Sequence, residues 1–186
     1  MPAPGENEDE DMFFRDMAEC VSTHREAGPA LVWPRNADGV LKRLRAEHER
    51  ALEAGSAPDR PADRPADRHR NADTRPLARL VASRLRTLVG ASAVRADFHD
   101  LAAGETREIL LTDADALLIT VRGGLECSVR SASASPPKRH LPLTLRMRVG
   151  EVLYVPHSYP FSLTAGRSSS TVLQLGLVPA APRPAL

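Results

Sequence analysis

The sequence predicts a mainly β protein, a sandwich or barrel, with helices placed ahead of it. Three observations predict this. Up to Gly90 the apolar residues recur at helical spacing, and beyond it the period moves towards two. Seven or eight short apolar segments, parted by turn residues, then occupy about 90 residues. Helical segments first and strands afterwards suit helices packed on one face or end of a sheet structure. Only seven of the 186 residues are aromatic, so the core must be aliphatic; an apolar content of 42% is enough to build one.

Residues 1–11, MPAPGENEDED, hold five acids and no base, and read as a solvated acidic tail. A helix follows over 12–27, where Met12, Phe13, Met17, Ala18 and Val21 sit near helical spacing. Gly28-Pro29 stops it. Ala30 to Trp33 is a short strand ended by Pro34. Asp38 to Ala54 is a second helix, with Asp38 as N-cap and Val40, Leu41, Leu44, Glu47 and His48 along one face. Together 12–55 form a helical and strand opening to the domain.

Residues 56–76 nearly repeat the unit Pro-Ala-Asp-Arg. Proline at that frequency bars a regular helix or strand, so this is a linker or exposed loop. Residues 77–178 then carry a helix and the barrel, with 179–186 as a tail. The helix runs near Pro76–Val89 on a stripe of Leu77, Leu80, Val81, Arg84, Leu85 and Leu88. Strands are expected at Val94–His99, Ala116–Val121, Leu125–Val129, Leu141–Met147, Val152–Val155, Phe161–Thr164 and Thr171–Leu177. The unbroken apolar run 116–121 marks a central strand. Ser168 to Thr171 reads as a hairpin turn.

Charge narrows the function classes. The net charge is +1, with 15 bases and 16 acids in residues 1–90 and 10 and 8 in the remainder. Bulk attraction to nucleic acid or anionic membrane is not expected. No apolar run is long enough to span a bilayer, and no secretory leader is read. Cys20 and Cys127 give no disulfide framework and no metal knuckle, which suits a cytoplasmic protein. No P-loop and no GxGxxG is present.

Two stretches are more specific. One is Asp113-Ala-Asp-Ala-Leu-Leu-Ile-Thr-Val-Arg-Gly123; the other is Gly150-Glu-Val-Leu-Tyr-Val-Pro156-His-Ser-Tyr-Pro160-Phe. In the second, Gly150 turns the chain into a strand. Val152 and Tyr154 share one face, Leu153 and Val155 the other, and Pro156 ends it. The two motifs together resemble those of the bacterial JmjC-type cupins, the ribosomal-oxygenase-like branch of the Fe(II)/2-oxoglutarate oxygenases. There the first motif reads approximately as HxD, two residues, Asp, a strand and a Gly turn, and the second as GDxLYxPxGWxH. Phe13-Phe14-Arg15-Asp16, followed by Pro29 and a short strand, is also similar to that family's N-terminal segment. The motifs cover about 25 residues, and the looser likeness most of residues 12–178. The resemblance implies a cupin, or double-stranded β-helix (jelly-roll), barrel.

The chemistry departs from the family. A non-haem iron site needs two imidazoles and a carboxylate on one face. Placed on the pattern through Asp115 and Gly123, the HxD falls on Leu110-Leu111-Thr112 and the distal histidine on Phe161. Leu110 and Phe161 have no donor atom, and the Thr112 hydroxyl is a weak ligand. No cofactor and no metal is therefore expected. His24-Arg25-Glu26 would splay around a helix, and the adjacent His99 and Asp100 would point to opposite sides of a strand. A relocated set of His99, His157 and Asp113 is the alternative.

In related oxygenases the barrel cleft takes an extended polypeptide. The resemblance thus implies a non-catalytic, JmjC-like cupin that binds a peptide or protein. An accessory role follows in the same terms, presenting a ribosomally made precursor to a partner enzyme in natural-product biosynthesis. Residues 127–150 hold Arg130, Lys138, Arg139, Arg146 and Arg148, with His140 and no acid, which suits an acidic peptide. Tyr154, His157 and Tyr159 are candidate mouth residues, with His99 beside them. The family's habit implies a homodimer. The alternatives are an active Fe(II)/2-oxoglutarate-dependent hydroxylase with relocated ligands, and a structural partner of an intact paralogue.

Overall fold

Alternation along the central strands decides the architecture of the computed structural model, which describes residues 6–25, 27–55, 76–109, 113–130, 142–157 and 159–180. The helices are α1 (Glu6–His24), α2 (Ala37–Gly55) and α3 (Pro76–Val89). The strands are β1 (Ala30–Val32), β2 (Ala93–Leu101), β3 (Thr106–Ile109), β4 (Asp115–Arg122), β5 (Leu125–Val129), β6 (Leu143–Met147), β7 (Val152–Val155), β8 (Phe161–Ala165) and β9 (Ser170–Val178).

The strands form two antiparallel sheets. A five-stranded sheet runs β1-β7-β4-β9-β2, and a four-stranded sheet runs β3-β8-β5-β6. Strands β4, β7 and β9 are buried on both faces, so their sequences read as continuous apolar runs. Leu117, Ile119, Val121, Val152, Tyr154, Leu173, Leu175 and Leu177 turn to the outer face, where the helices supply Phe13, Met17, Leu44, Val81 and Leu85. The alternate residues Ala116, Leu118, Leu153, Val155 and Val172 turn inward to meet Cys127, Met147, Phe161 and Leu163 of the other sheet. The two faces expected for Val152–Val155 are the faces observed. Each fully buried Leu or Phe here contributes about 1.5–3 kcal/mol relative to exposure.

Helix α3 starts where Glu47 of α2 accepts the Leu77 backbone N–H at 2.9 Å. Strand β1 reaches across the chain to pair with β7, Ala30 opposite Tyr154. The ladder between β4 and β9 shifts register between Thr120 and Arg122. There the Val121 carbonyl accepts from Arg45 Nη2 at 2.9 Å, tying α2 to the sheet.

Several expectations need correction. Helix α1 begins at Glu6, so residues 6–11 are helical and the expected acidic tail is shorter. Acidic groups suit a helix N-terminus, and Glu10 and Asp11 form ion pairs with Arg43 and Arg84. Helix α2 begins at Ala37, which puts Asp38 in its first turn rather than at the cap. Strand β3 was not expected; its polar Thr-Arg-Glu offers no apolar run. Residues 168–171 do not form a hairpin, because β8 and β9 lie in different sheets. Their link crosses between the sheets, where the Ser170 hydroxyl donates to Gly124 O at 2.8 Å. Gly123 lies against this crossing at φ +69°, and a Cβ on it would meet Ser169 O at 2.4 Å. Residues 56–75 and 181–186 lie outside the described residues.

Candidate functional site

The two sequence motifs meet where β4 pairs with β7, and alternate residues of both strands face the space between the sheets. Phe161 opens β8 opposite Val129 and Ile109, is 1% exposed, and packs in the inner apolar cluster. His99 and Gln174 share this inner side. His99 Nε2 lies 2.8 Å from Gln174 Oε1 in a fully buried contact. His99 is thus buried in the barrel wall and presents nothing to a peptide at the surface. Leu110, Thr112 and Arg139 lie outside the described residues. Burial pushes the Cys127 thiol up to about 12, so the inner face holds no ready thiolate.

Tyr154 also departs from its expected place. Its side chain leaves β7 on the helix side and is completely buried, so it is no mouth residue. Its hydroxyl donates to Asp115 Oδ2 at 3.0 Å. Asp115, 2% exposed, accepts further from the His157 backbone N–H at 3.1 Å and faces His157 Nδ1 at 3.2 Å. Arg25, just past α1, brings Nε to 3.5 Å from the same carboxylate. Burial, then the charge of Asp115, hold the Tyr154 phenol well above its ordinary range. This cluster clamps the end of α1 to β4 and β7. His157 stays exposed above it. Tyr159 is half-buried against the inner cluster, in a turn closed by its N–H to Pro156 O at 3.0 Å.

The basic run is less basic in space than in sequence. Arg130 lies 3.4 Å from Glu108 of β3, and Arg146 lies opposite Glu126 of β5 with 3.9 Å between charges. Acids on neighbouring strands supply what the run itself lacks. Arg148 sits beyond the far end of β6, so the described bases do not form one patch with Tyr159 and His157.

At the other end of β4, roughly 24 Å along the strand from Asp115, α2 overhangs the sheet. A cleft of about 910 Å³ opens there, lined by Arg45, His48 and Glu49 of α2, Phe98 and Asp100 of β2, Arg107 of β3 and Arg122 of β4, with Ser169 to Thr171. His48, 4% exposed, stacks on Phe98 at 4.5 Å between centroids. Its Nε2 lies 2.8 and 2.9 Å from the two Asp100 oxygens. The Thr171 hydroxyl donates to Asp100 Oδ1 at 2.9 Å. His48 was visible in the sequence only as one member of a helix face. Its pairing with Asp100 spans 52 residues and has no local signal.

No family model and no curated protein matches the chain. Solved structures do. A Pseudomonas putida prolyl-4-hydroxylase superposes with a TM-score of 0.58 at 13% identity, covering 89% of this chain and 95% of that one. The Schizosaccharomyces pombe Cnp3 cupin domain gives 0.38 at 16% identity, over 47% of this chain and 54% of that one. Hazelnut (Corylus avellana) vicilin gives 0.41 at 18% identity over 51% of this chain, which spans about a quarter (26%) of the vicilin chain. The fold is that of the cupins.

The residues present do not fit the iron centre that the sequence resemblance implies. Phe161, which the sequence pattern aligns with the distal histidine, has no donor atom and packs in an apolar cluster. Among the described residues no three His, Cys, Asp or Glu side chains are grouped so that they could hold a metal ion. His99, His157 and Asp113 are not brought together: His99 meets Gln174, His157 meets Asp115, and Asp113 faces Arg95 at 3.8 Å. Among the described helices none is long and apolar enough to cross a membrane.

Proposed function

We propose that this cupin is a non-catalytic, JmjC-like binding protein whose ligand is a peptide or protein segment. The observation that carries the reading is Phe161, packed with Leu163, Val129 and Cys127 where the family's pattern has a metal ligand. An interior filled by apolar side chains and the buried His99–Gln174 pair leaves recognition to the outer surface. The likeness of the two sequence motifs to the ribosomal-oxygenase-like branch, whose members take polypeptides, supplies the ligand class. In the same terms the role is an accessory one, presenting a ribosomal precursor peptide to a partner enzyme.

Metal content after anaerobic incubation with Fe(II) and 2-oxoglutarate, followed by desalting and mass spectrometry, tests the non-catalytic part. The expected result is iron far below stoichiometry. About one iron per chain would overturn it and return the hydroxylase to first place. An unbiased peptide array tests the binding part, with reproducible hits expected and a blank array counting against it.

A further inference from the structure

The two sheets end in four edge strands, β1 and β2 in one and β3 and β6 in the other. An edge leaves backbone N–H and C=O groups unpaired, and proteins blunt it with shortness, proline or inward charges. Three of these edges are blunted. β1 is three residues long, and Pro34 follows two residues on. β3 has four residues and turns Arg107 inward, opposite the buried Leu163. β2 carries Arg95, Asp97 and His99 on one face. β6, Leu143-Thr-Leu-Arg-Met147, has no such device. It pairs with β5 in unbroken register, and no described strand lies on its far side. We propose that this edge docks a second copy of the chain, the two β6 strands pairing antiparallel about a two-fold axis through Leu145.

The occupant follows from the pattern of β6, which is complementary to itself. About Leu145, Leu143 falls opposite Met147 of the second copy, and Leu145 falls opposite its own equivalent. These are the side chains on the inner face, where Leu145 packs half-buried against the inner cluster and Leu143 is 46% exposed. On the outer face Thr144 falls opposite Arg146 of the second copy. Apolar thus meets apolar, polar meets polar, and no like charges face each other.

The neighbouring registers are worse. A slip of one residue sets leucines opposite polar side chains, because the face alternates at every position. A slip of two in one direction sets Arg146 opposite Arg146. A slip of two in the other sets Pro142, which has no N–H, opposite Arg146. The register about Leu145 pairs all five residues of β6 and joins two four-stranded sheets into one of eight strands. Five residues a side make a small interface, so a dissociation constant of roughly 100 μM is expected. The inference stands apart from the peptide-binding reading and does not depend on it.

Sedimentation velocity of the full chain, from about 1 μM to about 1 mM, tests it, with a rise towards the mass of two chains expected. Thr144 is exposed on the outer face, so its substitutions read the register. Thr144→Glu sets an opposite charge against Arg146 of the second copy, twice by symmetry, and should tighten the pairing at least about threefold. Thr144→Arg sets like charges there and should weaken it at least about threefold. Thr106→Glu, on β3 at the other edge of the same sheet, should leave it within about twofold. Circular dichroism confirms that each variant is folded. A chain that stays monomeric throughout overturns the proposal. So does a dimer that Thr144→Glu and Thr144→Arg shift in the same direction or leave unchanged. A monomer whose β6 amides are protected from hydrogen exchange by an array peptide assigns the edge to that peptide, and overturns the pairing while the peptide-binding reading stands.

Discussion

The Tyr154 hydroxyl donates to Asp115 at 3.0 Å, and neither residue is more than 2% exposed. The carboxylate therefore owes its place to partners rather than to water: Tyr154, the His157 backbone and the Arg25 guanidinium. Removing it would leave three groups stranded. Asp115→Ala is expected to destabilise the fold by about 3–5 kcal/mol, and Tyr154→Phe by only about 1–2 kcal/mol. Urea titration of both variants checks the order. Equal losses would show that the carboxylate is not the hub of the cluster.

Alkaline pH should weaken the fold. Burial raises the Cys127 thiol from an ordinary value of 9.0 to about 12, and burial with Asp115 raises the Tyr154 phenol above its ordinary 10.0. Raised values mean that the native state keeps protons the unfolded chain has released. The stabilisation is complete below pH 9 and is lost as pH climbs towards 12, at roughly one kcal/mol per pH unit for each group. Cys127→Ala should flatten the first part of this limb. Denaturation midpoints at pH 8, 9.5 and 10.5 read it directly.

Glycine is required at one crossing and only convenient at another. A Cβ on Gly123 would lie 2.4 Å from Ser169 O and 2.8 Å from Ser170 Oγ, at φ +69°. Gly104 has a similar φ of +73° with nothing within 4 Å. Gly104→Ala should cost about 1 kcal/mol for conformation alone. Gly123→Ala should cost at least about 2 kcal/mol more, since a backbone oxygen has to move. Thermal melts of the pair separate the two terms.

Phe161→Ala is expected to destabilise by about 3–5 kcal/mol through the cavity it leaves in the inner cluster. A loss below 1 kcal/mol would show that the barrel interior is not packed as described.

His48 and Asp100 should be energetically coupled. A double-mutant cycle of His48→Ala and Asp100→Ala is expected to give about 1–3 kcal/mol of interaction, because the imidazole is buried and meets both carboxylate oxygens. Coupling near zero would reduce the contact to packing of His48 on Phe98.

Much of the fold was legible because its punctuation is local. Helix α3 and strands β5 and β7 fall within the expected limits, bounded by Pro76, Gly90, Gly124 and Pro156. The apolar alternation of 152–155 gave both faces of β7. The site was less legible. That Asp115 is buried follows from β7 lying beside β4, with Leu117 opposite Tyr154. That Arg146 is matched follows from its register with Glu126. Neither is written in a window of ten residues. The same holds for His48, whose partner is on a strand, and for β3, whose polar side chains hide a ladder to β8.

Ala30 pairs with Tyr154, so the first strand of the chain waits for a partner 124 residues later. On the ribosome α1 and β1 emerge long before β7 exists. Their apolar faces cannot settle on a finished sheet until β7 and β9 are out. Contacts of such separation slow folding and lengthen the time in which apolar surface stands open to other chains. The apolar face of α1 can meet α2 and α3 much earlier, so the clamp between Arg25 and Asp115 joins a helical layer to a sheet that the chain completes later.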